Sequence, residues 1–194
     1  MLYIVLAVIA IIIVYIAITY NFFVSSKARI VAAKEEIGNQ LKRQADLIPN
    51  LEESAKGYLK HEKGIFKDLT DARKQVETAV KSGGLEEMAA AGSKLAGILP
   101  KIQILVEDNP EFKADNVVGK LMEELRDTSD KVMYSRRLLI DLVADYNVKR
   151  VSVPSNIIAS MFNFEQMHGL KGAQEGDHLE VSDSETKSPK VKLS

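Results

Sequence analysis

Hydrophobic positions divide the chain into three stretches. The first, residues 2–24, is apolar, and no charged side chain occurs from Met1 to Ser26. An α-helix rises about 1.5 Å per residue, so roughly 20 such residues cross a hydrocarbon core of about 30 Å. The pattern predicts one transmembrane helix over 2–24, with Leu2, Ile9, Ile13 and Ile18 among its membrane-spanning residues. Tyr15, Tyr20, Phe22 and Phe23 cluster toward one end of it, as interfacial aromatics do. A cleaved secretory leader would need basic residues before the apolar run and a small-residue cleavage site after it. Neither is present, which favours an uncleaved anchor.

The second stretch, residues 25–168, carries apolar residues at helical spacing. Ile30, Ala33, Ile37, Leu41 and Ile48 continue the first helix out of the membrane to about Ile48. Pro49 is expected to stop it, with Asn50 capping the next helix and Glu53 completing a capping box. A heptad stripe follows at Leu51, Ala55, Tyr58, Glu62, Ile65, Leu69, Ala72, Val76 and Ala79, ending at Ser82-Gly83-Gly84. The third helix repeats it at Leu85, Met88, Gly92, Leu95, Leu99, Ile102 and Val106, with Pro100 expected to kink or split it. Residues 107–111 read as a turn. The fourth helix has the longest stripe: Val118, Leu121, Leu125, Thr128, Val132, Ser135, Leu139, Leu142 and Tyr146. After Pro154, a short amphipathic helix carries Ile157, Ile158, Met161 and Phe162. Each stripe is too narrow to bury itself. The expected fold is therefore all-α: the anchor continuing into an antiparallel bundle of four main helices plus a short C-terminal one. The third stretch, 169–194, is polar and reads as a disordered tail.

Charge and composition narrow the function classes. The chain has 26 basic and 27 acidic residues, net −1, which does not suggest a nucleic-acid binder. It contains no cysteine, which excludes disulfides, thiolate metal sites and a cysteine lipid anchor. Lys27, Arg29, Lys34, Lys42 and Arg43 follow the anchor, and only the terminal amine precedes it. The positive-inside rule then places the N-terminus outside and the body in the cytoplasm of a bacterial-type plasma membrane.

Residues 40–62, QLKRQADLIPNLEESAKGYLKHE, resemble the signature of the LemA family. The resemblance continues at DARKQV (71–76), NPEFKAD (109–115), TSDKV (128–132) with Arg136-Arg137, DYN (145–147) and VPSNIIASMFNFEQ (153–166). It covers roughly residues 20–168. Two positions depart from the family pattern: Glu52 stands where a hydrophobic residue is usual, and Asn109 where an aromatic is usual. The resemblance implies a bacterial membrane protein built as a long-helix bundle. It implies no established chemistry. Some relatives look like components of magnetosome membranes.

Candidate chemistry is sparse. His61-Glu62 begins like a zinc-protease motif, but position 65 is Ile where the second His belongs. The histidines His61, His168 and His178 are scattered, so neither a metal site nor a cofactor is expected. No catalytic constellation or phosphate-binding loop appears, and no small-molecule substrate is evident. Glu62 occupies a seam position among apolar neighbours and must pair or leave the seam; Arg43, Arg73, Arg136 and Arg137 are possible partners. Residues 42–50, with Lys42, Arg43, Asp46, Pro49 and Asn50, read as the turn between the first two helices, as cap chemistry or as a partner contact.

Up-down topology would bring the ends of the second and fourth helices, and residues 155–165, back to the bilayer. The soluble part of the first helix (25–48) spans about 36 Å and the second (51–82) about 48 Å, so the second must tilt, bend or end earlier. Lys27, Arg29, Arg73, Lys74, Lys81, Lys149 and Arg150 could then form a basic face toward anionic lipid. The alternative is that the short helix caps the bundle core. The functional expectation is a non-enzymatic membrane scaffold or interaction protein, with the bilayer as partner and self-association open. The alternatives are a sensor or adaptor in envelope stress or signalling, or a component of a magnetosome-like organelle membrane.

Overall fold

The structure is a computed structural model, which describes residues 1–55, 63–113 and 115–170. The described residues form α1 (Leu2–Ala55), α2 (Lys63–Ser82), α3 (Leu85–Asp108), α4 (Pro110–Lys113), α5 (Asn116–Val151) and α6 (Ser155–Met161). No strand occurs among them. The expected all-α bundle with a long apolar N-terminal helix is what forms.

Cross-helix contacts give the topology. Phe23 meets Tyr146 and Arg43 meets Glu124, so α1 and α5 run antiparallel. Arg126 bonds Gln103 and Arg136 bonds Ser93, so α3 and α5 are antiparallel as well. A Cβ on Gly38 would touch Met88 and one on Gly92 would touch Leu41, which makes α3 parallel to α1. The α2–α3 hairpin closes at Gly83, whose φ of 66° is a left-handed value that suits glycine. The chain thus goes out along α1, back on α2, out on α3 and back on α5. α3 is also long and apolar, but Leu95, Ile98 and Ile102 are buried inside the bundle, as in a core helix.

A sequence expectation fails at Pro49. α1 does not stop at Pro49 but runs 54 residues, about 81 Å, to Ala55. Residues 42–50 are therefore not a turn, Asn50 does not cap a helix, and the capping box with Glu53 does not form. A helix-interior proline costs about 3 kcal/mol. On both sides of Pro49, however, Ile48, Leu51 and Ala55 are fully buried on one face, and burial of a large aliphatic side chain contributes about 1.5–3 kcal/mol. Packing wins. Pro100 likewise lies inside an unsplit α3, between buried Ile98 and Ile102. Consequently the second stripe is divided. Leu51 and Ala55 belong to α1; Leu69, Ala72, Val76 and Ala79 are buried on α2. Tyr58, His61 and Glu62 lie outside the described residues, as does the tail from 171.

Elsewhere the corrections are small. The turn at 107–111 narrows to Asn109, whose Nδ2 donates to the Leu105 carbonyl at 2.9 Å and so closes α3. Asp115 starts α5 by accepting from the Val117 and Val118 amides. The α5 stripe turns inward at Val143 rather than Leu142, which is half-buried. The start of α3 stands beside Gly38, about 21 Å along α1 from residue 24, so the α2–α3 turn falls short of the end of the apolar span. α2 ends at Ser82, where the sequence placed its end, and it is shorter than expected because Leu51–Ala55 belong to α1.

Candidate functional site

Among the described residues, ring contacts and side-chain-to-backbone hydrogen bonds gather where α1, α5 and α6 meet. The packed seam of α1 begins at Thr19 and Phe23, within the last turns of the apolar span. Below it, Leu2, Ile9, Ile13 and Ile18 are exposed. Phe23 is fully buried. Its ring stacks on Phe164 at 4.7 Å and meets Tyr146 edge-on at 5.3 Å and Phe22 at 5.7 Å. Tyr20 contacts Phe162 at 4.9 Å and Phe164 at 5.7 Å. Offset and edge-on aromatic pairs such as these contribute about 0.5–1.5 kcal/mol beyond their burial. The aromatics read as an interfacial belt thus also form an internal cluster.

A polar clasp holds this cluster closed. α6 ends at Met161, and two residues on Asn163, with a φ of 53°, sends the chain back along α5. The end of α5 then seizes the returning backbone. Asn147 bonds Met167 twice: its Nδ2 donates to the carbonyl at 2.8 Å, and its Oδ1 accepts from the amide at 3.0 Å. The Tyr146 hydroxyl donates to the Glu165 carbonyl at 3.0 Å, and Arg150 Nε donates to the Phe164 carbonyl at 2.9 Å. Ser155, almost wholly buried, donates to the Lys149 carbonyl at 2.6 Å and the Ser152 carbonyl at 2.9 Å. Burial raises the Tyr146 phenol above its ordinary value; Arg150 opposes this and Glu165 adds to it. Sequence reasoning missed Asn147, Ser155 and Phe164 as a unit. The Asp145-Tyr146-Asn147 motif was the available signal, but its partners are backbone groups 19 and 20 residues away.

Of the predicted basic membrane face, Lys27, Arg29 and Lys81 are exposed. Lys149 and Arg150 are half-buried and partly committed to the clasp, Lys149 lying 5.8 Å from the Phe22 ring centre. The hallmark residues 42–50 do not converge on a pocket. Arg43 pairs with Glu124 across α1 and α5, its Nε donating at 3.1 Å, and that hydrogen bond above all raises its pKa. Arg73 pairs with Glu77, and Arg136 donates to Ser93. Asp46 and Asn50 are exposed. Gln44, one residue from Arg43, is buried, and its amide reaches the Leu125 carbonyl at 3.5 Å, which also accepts from the Thr128 hydroxyl at 3.0 Å. Glu52, one of the two departures from the family pattern, accepts from the Thr70 hydroxyl at 2.6 Å and ties α1 to α2. Among the described residues, no group of three or more His, Asp or Glu side chains could hold a metal ion. A groove of about 680 Å³ runs between α1 and α5, lined by Arg29, Ala32, Glu36, Tyr134 and Leu138 among others.

The model of the LemA family matches residues 33–192. The chain belongs to the LemA family. The match takes in most of the bundle, including the α5 clasp. A curated relative is the magnetosome protein MamQ of Magnetospirillum gryphiswaldense, 23% identical over 181 residues, covering 81% of this chain. The matched region spans 66% of that relative's own length, just under two thirds. An apolar N-terminal helix together with this family membership supports membrane anchoring.

Proposed function

We propose that this LemA-family chain is a non-enzymatic scaffold standing on a bacterial inner membrane. In this reading the N-terminus lies outside and the bundle in the cytoplasm, because the basic residues from Lys27 onward follow the span. The observation that carries the reading is α1 itself. It is one uninterrupted helix from Leu2 to Ala55, exposed along its first turns up to Val14 and packed into the bundle from Thr19 on. Such a helix leaves no hinge between anchor and body, so the bundle presents a fixed surface at a fixed height. The surface available to a protein partner is the α1–α5 groove, beside which Met133 and Tyr134 are exposed. Photo-crosslinkers at Tyr134 and Leu138 in native membranes should capture a defined protein. Recovery of lipid and self alone would sink the partner-presenting role.

The MamQ relationship favours a second, narrower reading, a structural component of a specialised organelle membrane. An adaptor in envelope stress or signalling would behave differently in the same experiment. Its crosslinked partner should change with the stress applied, whereas an organelle component's should not.

A further inference from the structure

The α5–α6 corner carries an apolar surface that the bundle does not use. Val153 is 81% exposed, Ile157 63% and Met161 59%, while Ile158 and Ala159 on the other side of α6 are buried. This short helix is therefore fixed by one face and offers hydrophobic side chains on the other. From residue 151 to 164 there is no charged side chain. Polar content is confined to Ser and Asn, and the stretch is bracketed by Lys149-Arg150 and Glu165.

The register of α1 against α5 sets the height of this corner. Phe23 meets Tyr146 and Arg43 meets Glu124, so the sequence falls by about one residue on α5 for each residue gained on α1. Both helices rise by about 1.5 Å per residue. Continued toward the anchor, the register brings Val151 level with Ile18, and Phe162 is held level with Tyr20 by direct ring contact. Ile18 and Tyr20 belong to the apolar span. If Leu2 marks one boundary of a hydrocarbon core of about 30 Å, the other falls near residue 21. The exposed apolar side chains of the corner therefore stand at the depth of the acyl chains.

We propose that residues 151–162 are a second membrane-inserting element, a wedge seated in the leaflet on the bundle side. Its occupant is the glycerol and upper acyl region of the same bilayer that holds α1. Continuity with the span's lipid-facing surface selects lipid over a second copy of the chain. By the same register Lys149 and Arg150 stand level with Tyr20 and Thr19, just inside that boundary, where long basic side chains extend their charge to the interface; Lys149 Nζ lies 5.8 Å from the centre of the Phe22 ring. The wedge prevents the bundle from rolling about the anchor axis, which a single helix would permit. The proposal rests on the anchor reading, and the experiment separates the two.

The chain contains no cysteine, so single-cysteine variants need no background removal. The full chain carrying Ile18→Cys, Ile157→Cys, Met161→Cys or Lys120→Cys would be labelled with a polarity-sensitive fluorophore. Each would be reconstituted in neutral phosphatidylcholine vesicles and in vesicles containing phosphatidylglycerol. All four positions are exposed, so labelling leaves the core intact. The expected result is blue-shifted emission at Ile157 and Met161 that approaches Ile18 and is quenched by lipids spin-labelled high on the acyl chain. It should persist in neutral lipid and at high salt, while Lys120 reports water. Water-like emission at Ile157 and Met161 with Ile18 still in lipid would overturn the wedge and leave the anchor standing. Water-like emission at Ile18 too would remove both. A blue shift at Ile157 that disappears on dilution with unlabelled protein would assign the face to a second copy and also overturn the wedge.

Discussion

The two ends of the α1–α5 seam are held together by different means. At the far end, from Leu41 on, the exposed Arg43–Glu124 ion pair lies over a buried aliphatic stripe of Leu41, Ile48, Leu51 and Leu125. At the end next to the anchor, aromatic rings replace aliphatic ones, and side chains bond backbone rather than one another. The solvent explains the difference. Water drives aliphatic burial at the far end and screens the ion pair. Near the bilayer the driving force for apolar packing fades, so shape-matched rings and satisfied backbone groups must do more of the holding.

The largest expected effect probes the aqueous end. Leu125→Ala, at a fully buried position, should cost about 3 kcal/mol through lost transfer and a residual cavity, read as a lower urea midpoint in detergent micelles. Phe23→Ala removes a larger side chain yet should cost no more, about 2–3 kcal/mol, if detergent or lipid replaces water around its cluster. A loss well above that of Leu125→Ala would show that both ends face water and would break the contrast. Pro49→Ala should move the other way. Restoring a helix amide in α1 should stabilise the far end by up to about 3 kcal/mol, visible as a raised melting temperature. An unchanged or lowered melting temperature would mean that the local backbone has adapted to proline.

Smaller effects sharpen the contrast. Asn147→Ala strands the Met167 amide and carbonyl and should cost about 1–3 kcal/mol, with faster hydrogen exchange confined to residues 163–170. Tyr146 adds a pH dependence. Its phenol is raised by burial, so the folded state holds the proton more tightly than the unfolded chain. The associated stability is complete below the ordinary value of 10.0 and is lost as pH climbs through the folded value. Tyr146→Phe should flatten that alkaline loss while costing about 1 kcal/mol at neutral pH for its bond to Glu165. The smallest change is Arg43→Ala. Its guanidinium is solvent-exposed, so the urea midpoint should not move measurably, at low salt or high.

Much of the bundle was legible because periodicity reports burial directly. On α5, eight of the nine predicted stripe positions are buried, with Val143 taking the place of Leu142. Pro49 misled because local propensity was weighed without the packing on either side. Glu62, the most pointed site candidate, lies outside the described residues. The clasp was invisible for another reason. Asn147, Tyr146 and Arg150 recognise backbone carbonyls and an amide, and every residue type carries those alike.

The sequence by itself determined the apolar anchor, the helical class, the α2–α3 turn at Ser82-Gly83-Gly84 and membership of the LemA pattern. Each depends on composition or spacing within one segment. Only the tertiary structure decided that α1 passes through Pro49, that the interfacial aromatics share a core, and that the face of α6 bearing Ile157 and Met161 points away from the bundle next to the Tyr20–Phe162 contact. These depend on how distant segments align, and alignment is settled by the sum of contacts along whole helices.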